Sequence, residues 1–519
     1  MPKTPISAHG EKNQIELDVS IDGRTEKIAC DTLVIACEPR NLRTKISYSD
    51  DEVALLSSLH NFTFHTSLLK VKVKDRQMKH GVIFAAEPLS KMRGHIYGFR
   101  NETAKSLGLD FANSVEYNWV TVYQLFGETT TPPTEDDFRK LLAEEIAQLS
   151  WWPFERSCDG LQETVLTPYF DHFHGDQLVN QNPWNWHKIQ GDNNTIYVHA
   201  ATCFESVVHC WYYINWLFEG HDGGRAIFPE DKSTSIVILG AGPSGLLTAE
   251  ALKHRHYTNV RVLENTNRIG GKTHTVPVKQ YGNLGKATTL YCELGTCYLS
   301  PHYDKFVKKM HHYLDGNTQI GFGGEDGTFR GILTEGQFSE HFRKTYDPPK
   351  MMPFPKYVLY KAADWLNVSP SHTTVIEDAI KAAAVNYERL YWEYFDEAWF
   401  SGPHYPMPAE PPADFLRDYG HKSFEQFLIE NHMGVLLGIM QYAYSVQGYG
   451  TLNDIPAYYG LLWITPDIIA KAQAGDGKTT LITAWSRGWG DLWEQMSAHL
   501  DITLNAETTH IRRHAHGQA

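Results

Sequence analysis

Ser235-Ile-Val-Ile-Leu-Gly-Ala-Gly-Pro-Ser-Gly-Leu-Leu-Thr-Ala-Glu250 runs from a β-branched apolar segment, through the turn Gly240-x-Gly242-x-x-Gly245, into a helical pattern. Each glycine has its own physical task. Gly240 makes a tight turn, Gly242 lets backbone approach a pyrophosphate, and Gly245 lets the helix pack closely on the strand. The helix that follows offers free N–H groups and a partial positive charge to phosphate. Downstream, Asn259-Val-Arg-Val-Leu-Glu264 has the pattern of a second strand, and its acid stands 19 residues after Gly245, where a ribose hydroxyl needs an acceptor. Strand, glycines, helix, strand and terminal acid in register predict a dinucleotide-binding βαβ unit. Such a unit normally opens a chain, yet 234 residues precede Ser235.

With 519 residues the chain exceeds what one hydrophobic core organises, so two or three domains are expected. Hydrophobic residues make up 42% and charged residues 21%, the balance of an ordinary globular protein. Lys+Arg 47 against Asp+Glu 61 gives a net charge of −14, which points away from nucleic acid and anionic membrane surfaces. No apolar run reaches ~18 residues, so no transmembrane segment is expected. Aromatic residues at 13% either fill a large core or line a ligand cavity. The seven cysteines are scattered without a Cys-x-x-Cys pair, which fits reduced thiols. Together with a polar start that lacks a signal-peptide core, they point to the cytoplasm. Sequons at Asn61, Asn101, Asn193 and Asn367 pull weakly the other way.

Taken in order, Ile15-x-Leu17-x-Val19-x-Ile21, the turn Asp22-Gly23 and Glu26–Cys30 predict a β-hairpin, followed by a buried strand to Cys37. A helix at 50–59, strands near 63–73, 81–86 and 119–125, and a capped helix from Pro133 to Leu149 come next. Residues 150–196 read as loop, 195–199 as a strand and Phe204–Phe218 as a long helix. Beyond a weak hairpin after Thr273, residues 315–356 read as polar loop, and helical patterns dominate 356–398, 414–430 and 433–443. Asp171-His172-Phe173-His174 places two imidazoles and a carboxylate within four residues, but no partner set stands at ligand spacing, so solvated loop histidines are expected and no metal.

Several motifs carry a resemblance. Arg268-x-Gly270-Gly271-Lys272-Thr273 resembles the second fingerprint of the flavin-containing amine oxidase superfamily, in which two glycines let the chain pass close to the flavin diphosphate. Glu293-x-Gly295 resembles that superfamily's segment beside the isoalloxazine. Trp489-Gly490 before a helix, with a strand pair running through Thr508 to Ile511, is similar to the stretch whose backbone meets the adenine. Tyr197–Phe218, with Thr202 and Phe204 at its turn, is similar to the closing strand and helix that face the flavin. The resemblance implies FAD, with contacts from the glycines and acids named above and from Lys272 and Thr273. It implies an α/β fold: a Rossmann-like FAD-binding domain of the glutathione-reductase type, a mixed-sheet substrate domain and a helical insertion.

The motif order implies circular permutation, residues 12–220 being the second half of the fold and 235–512 the first. The expected FAD-binding domain is 12–40, 195–220, 235–300 and 480–512; the substrate sheet is 41–194 and 301–355; the cap is 356–479; and 221–234 is a linker. A domain swap between chains is the alternative, and a homodimer is compatible with either.

Within the superfamily, Glu293–Asp304 and Gly448-Tyr-Gly-Thr-Leu-Asn-Asp-Ile-Pro-Ala-Tyr458 are similar to segments of the polyunsaturated fatty acid double-bond isomerases. That likeness implies hydride abstraction to flavin N5 from a lipid-like substrate and its return to another carbon, giving a conjugated system. Tyr442, Tyr444, Tyr449, Trp485 and Trp489 are candidates for the wall of the apolar tunnel; no general acid or base is assigned. Two features depart from the family. His199-Ala200-Ala201 stands where the closing strand has Ala-Gly-Glu, and no arginine stands near 315–329 to hold a carboxylate, Arg330 being the nearest. An FAD-dependent amine or amino-acid oxidase producing peroxide is the first alternative, and a catalytically degenerate FAD-binding protein the second. Cys203 and Cys297, in flavin-proximal motifs, leave a covalent thioether open.

Overall fold

The computed structural model describes residues 15–86, 93–127, 133–219, 226–321, 329–334, 336–395, 411–466, 468–469 and 482–513, and every statement of absence below concerns these. Outside them lie parts of the expected linker (221–225), of the arginine search region (322–328) and of the cap (396–410 and 470–479), and residues 12–14, 480 and 481 of the expected cofactor domain. Inward-facing Ile15, Leu17 and Val19 make β1 (Ile15–Ile21), which turns into β2 (Arg24–Cys30) at Asp22 and Gly23, both with positive φ. The other edge of β1 pairs with the chain's last strand, Ala506–Arg513, Ile15 standing opposite Arg513. Arg513 also ion-pairs with Glu52 of the helix Asp50–Ser57, whose carboxylate receives the Tyr197 hydroxyl. β3 (Thr32–Ile35) is buried at all four positions, as a strand covered on both faces must be.

β4 (His60–Lys72), β5 (Val82–Ala85), β6 (Arg93–Asn101), β7 (Tyr117–Phe126) and β8 (Leu161–His172) build a seven-stranded mixed sheet with Arg330–Leu333 and Met351–Pro353. β8 corrects the loop expected over 150–196, and β6 was not foreseen. β8 escaped because it lacks alternation and contains Pro168, which an edge strand tolerates. Asp171 and His172 are therefore buried strand residues rather than solvated loop.

β9 (Thr195–Tyr197), β10 (Ile236–Leu239) and β11 (Val260–Leu263) complete a five-stranded parallel sheet, in the order Ile502–Thr503, β11, β10, β3, β9. Strands from the start, middle and end of the chain thus interleave in one doubly wound sheet. β12 (Thr275–Tyr281) pairs with β13 (Ala287–Glu293) as a hairpin. The helix expected from Phe204 starts at Val207, after a bend. The helix expected over 356–398 is two, Phe354–Leu366 and Thr373–Tyr394, broken where Asn367 takes φ +53.

Candidate functional site: a cofactor groove opening on an aromatic cleft

The carboxyl ends of β10, β3 and β9 converge, which is where doubly wound sheets bind ligands. Gly240 takes φ +103, and a Cβ there would stand 3.2 Å from Cys37 of the neighbouring strand end. At Gly245 an added Cβ would lie 1.9 Å from the Gly240 carbonyl oxygen, so the helix Pro243–His254 reaches this turn only with glycine. No side chain caps that helix, leaving its first N–H groups for a ligand. Gly270 donates its N–H to the Ala241 carbonyl at 2.8 Å, and a Cβ on Gly271 would come 3.0 Å from Gly242 Cα. The two glycine loops therefore form one backbone cradle. Glu264 accepts from Ala241 N at 2.8 Å and from Thr266 N at 2.9 Å, fixing its carboxylate at the end of β11. Thr273 accepts from the Trp493 indole N–H at 2.6 Å, anchoring the second loop.

Beyond the cradle lies a buried charge cluster. Lys272 donates to both oxygens of Glu205 at 2.9 Å; Glu205 also accepts from Phe170 N at 3.0 Å. Despite burial, Glu205 and Asp171 raise the Lys272 pKa, keeping it charged. Arg40 holds Glu38 through Nε at 2.7 Å and Nη2 at 3.0 Å, and also reaches Asp171. Burial pushes His199 down to about 4, so it is neutral near pH 7.

The groove opens on a cleft lined by Tyr123, Tyr169, Tyr298, Tyr303, Tyr449 and Trp463, with Arg100, Lys272, Glu205 and Cys297 among its other walls. Tyr169 stacks on Tyr449 at 5.7 Å, and Phe204 stacks behind on Trp463 at 5.8 Å. Arg100 is 1% exposed, donates to Glu102 at 2.7 Å and to the Glu293 carbonyl at 2.6 Å, and lies over Tyr123 and Tyr298. Glu102 pairs with Lys105 as well, at 2.6 Å, so one carboxylate faces two cations. The free volume is about 50 Å³, room for a few waters.

A model of NAD(P)-binding Rossmann-like domains matches residues 238–314. A polyenoic fatty acid isomerase of Ptilota filicina is 23% identical over 244 residues, 46% of this chain and 42% of the relative. An L-amino-acid oxidase of Neurospora crassa is 42% identical over 64 residues, 12% of this chain and 9% of the oxidase. The flavin-containing amine oxidase A of Equus caballus is 36% identical over 73 residues, 14% of this chain and 12% of the oxidase. Among solved structures, a CLA-producing fatty acid isomerase from P. acnes covers 53% of this chain and 52% of its own at 20% identity, with a TM-score of 0.35. The chain matches less than half the length of each curated relative. Over these stretches it is similar to flavin-containing oxidases and to a fatty acid isomerase.

FAD, the cofactor that the glycine motifs imply, fits the residues present. A Cβ on Gly271 would crowd the Gly242 backbone, and a buried oxygen of Asp171 lacks any hydrogen-bond partner. Gly240, Gly242, Gly245, Glu264, Gly270, Gly271 and Lys272 lie in the two glycine loops and the charge cluster beside them, and Thr202 donates to the His199 carbonyl at 2.6 Å. Glu293 does something different: its oxygens accept from Trp489 N at 2.7 Å and Thr275 Oγ1 at 2.8 Å, so it ties β13 to the helix Gly488–Ser497. Gly295 packs its Cα against the Lys272 carbonyl, where a Cβ would stand 1.8 Å away. Thr508 is buried in the last strand, opposite Val19.

Of the five tunnel candidates, Tyr449 lines the cleft and the others do not. Tyr442 packs on Phe354, Tyr444 donates to the Gly460 carbonyl, Trp485 is buried beside Trp489, and Trp489 stacks on Trp493. These four make core contacts because the helices and, for Trp485, the strand Thr483–Trp485 turn those faces inward. Cys297 lines the cleft, whereas Cys203 packs 3.9 Å from Cys210; all seven cysteines are free thiols. Sequence reading missed Arg100 and Lys105 and set Asp171 aside as solvated loop; long-range pairing brings all three to the site.

Proposed function

We propose that the protein is an FAD-dependent isomerase that moves double bonds in a polyunsaturated fatty acid into a conjugated system. The observation that carries this reading is the character of the cleft. Seven of its lining residues are aromatic, its one lining carboxylate, Glu205, is taken up at both oxygens by Lys272, and Arg100 adds a buried positive charge. Such a cavity suits an apolar chain ending in an anion better than a cation. FAD, when bound, supplies the reversible two-electron chemistry. The chain's own residues orient the substrate, with Tyr169 and Tyr449 forming an apolar wall and Arg100 a charged anchor, and they exclude water. The π-faces of that wall would favour a positive charge developing on the substrate.

Mixing the protein anaerobically with linoleate, while recording the visible spectrum, tests the assignment. Conjugated-diene absorbance without net bleaching supports it. Flavin bleaching by an amine or amino acid, reversed by oxygen and with no diene formed, would replace it with the oxidase reading. Flavin retained without either reaction would leave a catalytically degenerate binding protein.

We read residues 12–40, 195–220, 235–300 and 480–512 as one cofactor domain with its halves in exchanged order, joined through 221–234, beside the substrate sheet (41–194 and 301–355) and the cap (356–479). Supporting this are the intrachain pairings of β3 with β10 and of β1 with Ala506–Arg513. A monomer binding one FAD is expected; sites assembled only in an obligate dimer would overturn it.

A further inference from the structure

Asp171 lies in a β-bulge that takes its side chain out of the sheet ladder. His60 pairs with His172 and Phe62 with Tyr169, so Phe170 and Asp171 together oppose one residue of β4. Phe170 takes φ +58, a left-handed conformation that strains a non-glycine residue, and it is pinned by its N–H to Glu205. Strain of this kind persists where a site fixes it. The Asp171 carboxylate is thereby set between Glu38 at the end of β3, His199 at the end of β9, and Arg40.

Its two oxygens are treated unequally. Oδ1 receives Arg40 and, at 3.2 Å, the Asn61 amide. Oδ2 is buried with no hydrogen-bond partner. His199 Nδ1 stands 3.7 Å away, but it accepts from the Ala201 N–H at 3.2 Å, so it faces Oδ2 with a lone pair and cannot donate. A buried carboxylate oxygen left in that state is destabilising, and a ligand that donates to it relieves the cost. The missing partner is a neutral donor. Arg40 already bridges Glu38 and Asp171, so a divalent cation would have to displace a guanidinium.

We propose that Asp171 Oδ2 accepts a hydrogen bond from a hydroxyl of the FAD ribityl chain, so that a strand of the substrate sheet supplies the acid that His199-Ala200-Ala201 lacks. This rests on FAD as the cofactor. It makes the substrate sheet part of the cofactor site rather than only its neighbour.

Apoprotein, wild type and Asp171→Asn, titrated with FAD and with 2′-, 3′- and 4′-deoxyribityl FAD by flavin fluorescence, tests it. In the variant Arg40 and Asn61 hold the amide oxygen, which puts an NH2 where Oδ2 was. Burial raises the Asp171 carboxyl to about 7, so at pH 8, where it is ionised, Asp171→Asn should bind FAD about 10- to 100-fold more weakly, the range expected of a hydrogen bond to a charged group. One deoxy analogue should bind the wild type with a similar loss and lose nothing further on the variant. Unchanged FAD affinity in the variant, or all three analogues binding the wild type as FAD does, would overturn the proposal. If the variant does not fold, judged by the melting of its apo form, the three analogues on the wild type decide alone. A melting rise with Mg2+ or Zn2+ in the wild type that vanishes in the variant would instead assign a metal. Wild type that binds no FAD would sink the cofactor assignment itself, a distinct outcome.

Discussion

Gly245→Ala isolates the contact on which the cofactor groove depends. The added Cβ would stand 1.9 Å from the Gly240 carbonyl oxygen and 3.3 Å from Ala36 Cβ. Backbone lies on one side and a buried strand end on the other, so no flexible side chain can yield. The first turn of Pro243–His254 must back away by roughly an ångström, and overpacking of this kind costs about 1–3 kcal/mol. Because the field of a helix N-terminus falls off within its first turn, the same displacement weakens the hold on phosphate. We expect FAD affinity to fall about 10- to 100-fold, by about 1.4 kcal/mol per factor of ten. FAD titration of apoprotein by fluorescence reads the affinity, and thermal melting of the apo form reads the packing cost. Gly285→Ala is the control: at φ +75 with nothing within 4 Å, it costs about 1–2 kcal/mol of backbone strain and leaves FAD affinity alone. Wild-type affinity and melting in Gly245→Ala would refute the reasoning, as would equal affinity losses in the two variants.

Burial, opposed by Lys105, pushes Glu293 up to about 7 from an ordinary 4.5, so its contribution to stability is present below pH 4.5 and lost as pH rises through 7. Glu293→Gln should therefore lose less stability than wild type between pH 4.5 and 8, and parallel melting curves would count against this. His199 shifts the opposite way, down to about 4, so its contribution fades as pH falls from 6.5 through 4; His199→Gln should flatten that acid limb in melts, and an unchanged limb would exclude it. Arg100→Gln leaves Glu102 paired with Lys105, so the chain should fold, with KM for linoleate rising about tenfold or more and KM for its methyl ester changing less; equal effects on both would remove Arg100 as the anchor. Denaturation and alkylation without reductant should give seven adducts by mass spectrometry, one fewer if Cys297 carries flavin, and a disulfide-linked peptide would contradict the free thiols.

The sequence by itself determined the local chemistry of this protein. Spacing and residue type specified β10, the glycine turn, its helix and the acid at Glu264, because a phosphate turn is built from contiguous residues whose φ angles and missing side chains are legible one position at a time. The hairpin at Asp22-Gly23 was legible for the same reason. Tertiary structure decided what those pieces meet. β8 was hidden by an edge position that excuses Pro168 and weakens alternation, and with it went Asp171, whose setting depends on a bulge paired to a strand about 110 residues away. No local pattern marks Arg100, and only β6 brings it to the Glu293 carbonyl. Tyr442, Tyr444, Trp485 and Trp489 looked like cavity aromatics, but which face of a helix or strand turns to a cleft is set by its neighbours and not by its own composition. The cofactor groove was written in adjacent residues, whereas the substrate cleft exists only where distant strands are stacked.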